Sequence, residues 1–287
     1  MPLRIAVSIS VVAALLAVPA GAHAANVVRP TSVSGTDTLT AGTHTLHLQC
    51  PAPSVALNAA VIRKSPGVTL RRSIPGSAAG NWRFRVEVAN GGSRVRSVLR
   101  CVRLDVPAGM SGVRLGVKTT SEPGVGIPGD GATEVALRCG PAWVATGYAL
   151  DAGGSGNVRL ASVVPVAHGW NFVLENVGPA DASAGVSARC LRRTVSTAGS
   201  AELRFDITRP SRGNILGTNS TPTLSHSCGA GRFSLATGSI VDPRDPIVFA
   251  AGGPIRSQGG RWTFRNASGG DRVRTFLVCL SRSTGFS

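Results

Sequence analysis

The amino-acid sequence predicts an all-β fold: three tandem, disulfide-closed modules of the β-sandwich, immunoglobulin-like kind that follow a signal peptide. Three observations support this prediction. The six cysteines recur with a period of 89 residues. Apolar and polar residues alternate in short runs, and no stretch after the first 24 residues shows the periodicity of a helix.

The first 24 residues are predicted to be a secretory signal peptide. Arg4 is followed by an apolar run from Ile5 to Val18, and Pro19 leads into small residues that end at Ala24. A basic residue, a short apolar segment and a small-residue cleavage site are the three parts of such a leader. No later segment reaches the roughly 20 apolar residues that a membrane helix needs. We therefore expect a protein without a transmembrane segment that is secreted, extracellular or loosely associated with the cell envelope.

The cysteines divide the rest of the chain into three similar parts. Their intervals alternate between 51 and 38 residues, and each 51-residue interval contains Pro, Trp and Asn in the same order. Repetition of this length indicates one folded unit that has been copied, and about 89 residues suffice for a sandwich with its own core. The predicted units are 25–108, 109–198 and 199–287. We expect them to be arranged as three beads on a string.

Each unit is predicted to contain one disulfide bond. Six cysteines in an exported chain indicate disulfides, although about fifteen pairings are possible. Only pairing within each unit gives all three units the same disulfide and therefore the same fold. The predicted bonds are Cys50–Cys101, Cys139–Cys190 and Cys228–Cys279. In the chain-entropy model, closing a loop of this length stabilises the fold by about 4 kcal/mol.

Alternating apolar residues locate the strands of each unit. In the second unit we predict strands at 113–118, 133–139, 143–150, 157–164, 169–175 and 184–192. A tryptophan also recurs at a similar place between the two cysteines of each unit, and these residues are Trp82, Trp170 and Trp262. We expect these side chains in the core near the disulfides, as in other sandwiches, rather than on the surface as stacking platforms for a ligand.

Few residues have the chemistry of an active site. The four histidines after the leader do not recur at equivalent positions in the three units. His44 and His47 fall on opposite faces of a predicted strand, which argues against a shared metal ion. The sequence has no serine-hydrolase elbow, zinc-peptidase helix or phosphate-binding loop. We therefore predict a binding or structural protein without cofactor or metal. The alternative is a secreted enzyme or enzyme inhibitor whose site lies in loops.

Arginine is distributed unevenly along the chain. The net charge is +16, and the three units carry +8, +1 and +6. We predict that the arginines of the first and third units gather on the hairpin after the tryptophan. There they are expected to bind an anionic polymer of the cell wall or surroundings through charge and paired hydrogen bonds. The predicted polyanion-binding residues are Arg83, Arg85, Arg94, Arg96, Arg265, Arg272 and Arg274.

The same arginines also have a simpler explanation. Arginine codons are GC-rich, so a GC-rich genome produces a basic and merely solvated surface. Nucleic acid is disfavoured as the partner because aromatic side chains that stack on bases are scarce. Tyr148 is the only tyrosine of the chain.

The order of residues in the second unit resembles a known class of modules. Cys139-Gly140-Pro141 is followed by Ala145-Thr146-Gly147, Pro165, Gly169-Trp170, Asn176 and Cys190. This order is similar to that of the small two-cysteine β modules of exported proteins from high-GC Gram-positive bacteria, many of which have no assigned function. The first and third units depart from it; in the first, Ala59 stands at the position of the strand glycine and Asn81 precedes the tryptophan. The resemblance implies the fold and export, and it implies no catalytic or binding residue.

Overall fold

The computed structural model of the chain describes residues 28–105, 113–154, 157–196, 202–241, 247–255, 258–266 and 271–281. These residues form strands and turns, with no helix among them, so the all-β prediction is confirmed. The predicted signal peptide at 1–24 and the predicted unit boundaries near 108 and 198 lie outside the described residues.

The strands of the described residues fall into three groups and one connecting hairpin. Group 1 consists of β1 (Val28–Leu39), β2 (Gly42–Gln49), β3 (Val55–Lys64), β4 (Val68–Pro75), β5 (Asn81–Val88) and β6 (Ser93–Leu104). Group 2 consists of β7 (Val117–Ile127), β8 (Ala132–Arg138), β9 (Trp143–Asp151), β10 (Val158–Val166), β11 (Gly169–Asn176) and β12 (Ala182–Arg192). The hairpin consists of β13 (Thr194–Ser196) and β14 (Glu202–Arg204). Group 3 consists of β15 (Ile207–Thr208), β16 (Ser211–Ile215), β17 (Thr223–Ser227), β18 (Arg232–Ile240), β19 (Ile247–Ile255), β20 (Gly259–Asn266) and β21 (Arg272–Ser281).

The strands pair in the same order in every group. Group 1 forms the antiparallel sets β1-β6-β3 and β2-β5-β4, and group 2 forms β7-β12-β9 and β8-β11-β10. In group 3 the first strand is split, so that β15 and β16 both pair with β21, which also pairs with β18. The second set of group 3 is β17-β20-β19. Each group therefore supplies two layers of a sandwich.

The disulfides close each group between these layers. The structure contains the predicted bonds Cys50–Cys101, Cys139–Cys190 and Cys228–Cys279. Trp82, Trp170 and Trp262 are each buried in the same hydrophobic cluster as the two cysteines of their group. The predicted pairing and the predicted core position of the tryptophans are confirmed.

Two sheets continue from one group into the next. Strand β4 of group 1 pairs with β9 of group 2 at Arg72 and Asp151, and the side chains of these residues also form an ion pair of 2.8 Å. Strand β10 of group 2 pairs with β18 of group 3 at Val163 and Ser239. The fourth strand of one group thus lies beside the third strand of the following group.

Groups 3 and 1 have the same neighbour relation, although they are far apart in the sequence. Strand β19 lies against β3. A Cβ atom placed on Gly253 of β19 would lie 2.6 Å from Cγ2 of Ile62 and 2.7 Å from Cβ of Ala60. The glycine allows this close approach because it has no side chain. The three groups therefore close a ring.

The hydrophobic core also extends across the groups. One cluster of buried side chains includes Leu57 from group 1, Trp170 from group 2 and Phe233 from group 3. Two smaller clusters surround the disulfides of groups 1 and 3. The expectation of three beads on a string, each with its own core, is therefore wrong. The sandwiches share strand edges and part of their interior.

Asn58 connects all three groups at the centre of the ring. It is 2% exposed. Its side-chain amide donates a hydrogen bond of 3.2 Å to the carbonyl oxygen of Leu235 in group 3. Its Oδ1 accepts a hydrogen bond of 3.4 Å from the backbone nitrogen of Tyr148 in group 2. Because an unsatisfied buried polar group costs about 1–3 kcal/mol, these bonds favour this one arrangement of the three groups.

Two buried arginines join neighbouring groups. Arg189 of group 2 donates hydrogen bonds of 3.0 and 2.8 Å to the carbonyl oxygens of Ala56 and Ala79 in group 1. The guanidinium carbon of Arg100 in group 1 lies 4.8 Å from the centre of the Phe233 ring in group 3. Burial lowers the pKa of both side chains, that of Arg100 to about 10. Arginine keeps its charge at neutral pH in such surroundings, so these contacts depend on a buried cation.

Titration of Tyr148 tests the packing of this centre. Its ring centre lies 4.9 Å from that of Trp170. Burial raises the pKa of Tyr148 to about 12, although a hydrogen bond with Thr237 lowers it. We expect tyrosinate absorption near pH 12 in the folded protein and near pH 10 in denaturant. Because the folded state holds this proton more tightly, its contribution to stability is complete below about pH 10 and is lost as the pH rises toward 12. A folded protein that titrates near pH 10 would contradict the burial of the Tyr148 hydroxyl.

Candidate functional site

Strand β5 carries two arginines on the outer face of a sheet. Trp82 and Phe84 are buried while Arg83 and Arg85 are exposed, because side chains alternate along a strand. The Cα atoms of the two arginines are about 7 Å apart at this spacing. Among the described residues, no carboxylate forms an ion pair with either arginine. Both guanidinium groups are therefore available to an anion from outside the chain.

The strands on either side of β5 complete a groove. Strand β2 places Thr45 opposite Arg85, and strand β4 places Arg72 opposite the same residue. The groove has a volume of about 320 Å³. Its polar and apolar walls include Thr43, Thr45, Arg72, Ile74, Arg83 and Arg85. We call the outer surface formed by these six residues the basic face.

A β-bulge in β4 sets the position of Arg72. The register of β4 against β5 shifts between Leu70 and Arg72, so Arg71 is an extra residue in the strand. Arg71 forms an ion pair with Glu87 on β5, whereas Arg72 forms its ion pair with Asp151 of group 2. A bulge redirects side chains in this way, and here it brings a third arginine to the groove.

The depression continues from group 1 onto group 2. Arg72 and Ile74 also line a second depression of about 560 Å³, whose far wall is formed by β7 and β12. This part contains both charges, since Lys118 and Glu122 line it together. The Nζ atom of Lys118 lies 4.7 Å from the centre of the Trp143 ring. The shared sheet therefore has one long outer depression that is basic at the group 1 end.

The charges of the basic face are only partly balanced. Arg72 forms a partly exposed ion pair with Asp151, whereas no ion pair involves Arg83 or Arg85 in the part of the chain that the structure describes. Like charges directly opposite each other on paired strands repel, and Arg72 and Arg85 stand in this relation. A bound anion would remove this repulsion. The face can thus hold carboxylate, sulfate or phosphate groups by charge-assisted hydrogen bonds.

The predicted arginine hairpin of group 1 does not form one surface. Strand β5 pairs with β2 and β4, while β6 pairs with β1 and β3 in the other layer. Arg94 and Arg96 are exposed on β6 and therefore face away from Arg83 and Arg85. The prediction of neighbouring strands is wrong because the connection between β5 and β6 crosses from one layer to the other.

The same separation occurs in group 3. Arg265 is exposed on β20, which pairs with β17 and β19. Arg272 and Arg274 are exposed on β21, which belongs to the other layer. The seven predicted residues therefore lie on several surfaces. Of these residues, only Arg83 and Arg85 line the groove described above.

The sequence did not point to Arg72 as part of the site. One signal for it exists: the adjacent pair Arg71-Arg72 interrupts the alternation of a strand, as a β-bulge does. Finding its partner strand required the structure, because Arg72 acts together with Arg85 across the β4–β5 pairing.

Comparisons with known proteins do not place the chain in a family. No protein family model matches the chain, and no curated protein is significantly similar to it. The described ranges contain no group of three or more histidine, cysteine, aspartate or glutamate side chains arranged to hold a metal ion. Nor does the described part of the chain contain a helix with the length and apolar character needed to span a membrane.

Proposed function

We propose that this is an exported binding protein that attaches to an anionic polymer, such as an acidic polysaccharide or a wall polymer, through the basic face. The observation that carries the proposal is the pair of outward, unneutralised arginines Arg83 and Arg85 beside Arg72 in one groove. The proposed activity is binding rather than catalysis, and it requires no cofactor.

The groove offers donors suited to an extended anionic chain. A guanidinium group presents paired N–H donors that match the oxygens of carboxylate, sulfate or phosphate. Thr43 and Thr45 add hydroxyl groups on the neighbouring strand, and Ile74 adds an apolar contact for a sugar or polyol backbone. The depression continues onto group 2, so a polymer has room to lie across several strands.

Export and a modular origin belong to the same proposal. Three disulfides suit an oxidising compartment, in agreement with the expected signal peptide. We further propose that the three groups are copies of one immunoglobulin-like module of the two-cysteine class named above. The 89-residue period of the cysteines and the common strand order support this interpretation.

Substitution of two arginines tests the proposal. We expect fluorescein-labelled dextran sulfate to bind the wild-type protein and neutral dextran of the same length not to bind, as measured by fluorescence anisotropy. The double variant R83Q/R85Q should raise the Kd by about tenfold, because it removes two charge-assisted contacts. It should also reduce the dependence of log Kd on log salt concentration, since fewer counterions are released on binding.

The matched control is R94Q/R96Q. It removes the same charge from residues with the same spacing on the opposite layer, so its Kd should stay close to that of the wild type. Equal weakening by both double variants would mean that only net charge matters and would overturn the assignment of the basic face. Binding that does not change with salt concentration would overturn the polyanion proposal altogether.

A further inference from the structure

A second cavity, separate from the basic face, lies between the three groups. It has a volume of about 270 Å³ and is lined by β3, β4 and β5 of group 1, β9 and β10 of group 2, and Thr237 on β18 of group 3. It therefore exists only because the ring brings these strands together. Its rim includes Lys64 and Thr69 from group 1 and Arg159 from group 2, all of which are at least partly exposed.

The walls of this cavity are mainly apolar. Leu70, Phe84, Leu150 and Leu160 line it together with the ring of Tyr148. The three leucines and the ring of Tyr148 keep partial solvent access although they lie between packed layers. Protein interiors normally leave few voids larger than a water molecule, so this residual access marks a real hollow.

The polar groups inside the cavity have partners within the protein. Ser73 accepts a hydrogen bond of 3.0 Å from the indole nitrogen of Trp82. Asn58 is bonded to groups 2 and 3 as described above, and the hydroxyl of Tyr148 is hydrogen-bonded to Thr237. A buried water needs two to four polar partners, and apolar cavities without them stay dry. The interior is thus suited to an apolar guest rather than to a water cluster.

The rim differs in charge from the walls. Lys64 donates one hydrogen bond of 2.8 Å to the carbonyl oxygen of Val68, and no carboxylate among the described residues forms an ion pair with it. Arg159 on the other side is already held by Glu175 through bonds of 2.7 and 2.9 Å. Burial and nearby Arg265 lower the pKa of Lys64. An anion at the rim would favour the charged form of Lys64 and so offset both effects.

We propose that this cavity binds a small monocarboxylate with an apolar body, whose carboxylate contacts Lys64 and whose body contacts the leucines and Tyr148. The volume limits the size of the ligand. An apolar cavity of about 150 Å³ accommodates benzene, and most ligand pockets exceed about 300 Å³. A cavity of about 270 Å³ therefore fits a medium-length alkanoate or a single ring with a short chain.

Calorimetric titration of the protein that contains all three groups, with three ligands of equal length, tests this proposal. Octanoate should bind at one saturable site. Octanol should bind about tenfold more weakly, because it lacks the charge-assisted hydrogen bond to Lys64. Octylammonium should not bind, because its charge repels that of Lys64.

Two variants test which residues contact the carboxylate and which contact the apolar body of the ligand. Lys64→Gln should weaken octanoate by about tenfold and leave octanol within about twofold of the wild type. Lys118→Gln is the matched control, since it removes the chain's other lysine, which lines the outer depression instead. Leu160→Trp should abolish binding of both ligands by filling the cavity, with folding checked by the thermal midpoint. If Leu160→Trp unfolds the chain, Leu70→Phe replaces it.

Several outcomes would overturn the proposal. Octanoate binding that fails to saturate would show that the cavity is not a specific binding site. Binding of octylammonium as tight as that of octanoate would show that Lys64 does not contact the carboxylate. Equal losses of octanol and octanoate affinity in Lys64→Gln would show the same. Unchanged octanoate binding in a folded, cavity-filled variant would place the ligand elsewhere.

Discussion

Replacing Gly147 by alanine should lower the free energy of unfolding by about 3 kcal/mol, because it adds a methyl group where β9 meets β3. A Cβ atom on Gly147 would lie 2.8 Å from both Cβ and Oδ1 of Asn58, and closer still to the carbonyl oxygen of Leu57. Those atoms have little freedom to move, since Leu57 lies in a strand paired with β6 and Asn58 is hydrogen-bonded to groups 2 and 3. Denaturant unfolding of the purified protein measures the effect.

Gly126→Ala is the matched control for this substitution. Gly126 also lies in a strand of group 2, and a Cβ atom there has no neighbour within 4 Å. Alanine at an unstrained position tends to stabilise by about 0.4–1 kcal/mol because it restricts the unfolded chain. We therefore expect this variant to equal or slightly exceed the wild type. Equal stabilities of the two variants would mean that the groups are not packed against each other at Gly147.

Removal of the disulfide of group 2 should cost about 4 kcal/mol by chain entropy and should destabilise the whole chain. The double variant C139A/C190A avoids leaving a polar group at two positions that are at most 1% exposed. Because the central cluster includes side chains from all three groups, we expect one cooperative calorimetric transition at a lower temperature. Agreement of the calorimetric and van't Hoff enthalpies checks the cooperativity.

The other two disulfides provide controls of equal loop length. All three join cysteines that are 51 residues apart, so the entropy of loop closure is the same for each. Any excess loss in the group 2 variant therefore measures the role of its disulfide in the cluster shared by all three groups, because the other two disulfides lie in the smaller clusters. Two or three resolved transitions, with only one shifted by C139A/C190A, would show independent beads and contradict the shared core.

Much of group 2 could be predicted from alternation alone. The predicted strands 143–150, 157–164 and 169–175 correspond to β9, β10 and β11 with ends that differ by at most two residues. The predicted strand 113–118 is wrong in position, since β7 covers Val117–Ile127. The apolar residues before β7 pack against the core without forming a strand, whereas β7 is a largely polar edge strand. Alternation therefore identifies residues that face a core better than it identifies strands at an edge.

The candidate site was less predictable than the strands. Alternation correctly indicates that Arg83, Arg85, Arg94 and Arg96 point outward. It does not indicate which strands are neighbours, so two arginine pairs on opposite layers were expected to form one surface. Pairing between distant strands depends on the assembled layers, and the groove beside Arg72 follows from that pairing.

The contact of β18 with another group is also visible in its amino-acid composition. Strand β18 is buried at seven consecutive positions and contains no charged residue after Arg232. A strand covered on both faces has this composition, whereas a strand with one face in water carries polar residues at alternate positions. Its small residues, such as Gly238, permit close contact: a Cβ atom there would lie 3.1 Å from Cδ of Pro165 in group 2.

Closure of the ring also bears on solubility. Open edges of apolar strands act as templates on which another molecule adds a strand, which leads to self-association. Here β3, β4, β9, β10, β18 and β19 are each covered by a strand of the neighbouring group. The outermost strands of the group 1–group 2 sheet are β2 and β7, and β7 carries Lys118, Glu122 and Pro123, which discourage such addition. A chain with only one or two groups would leave some of these strand edges uncovered and open to self-association.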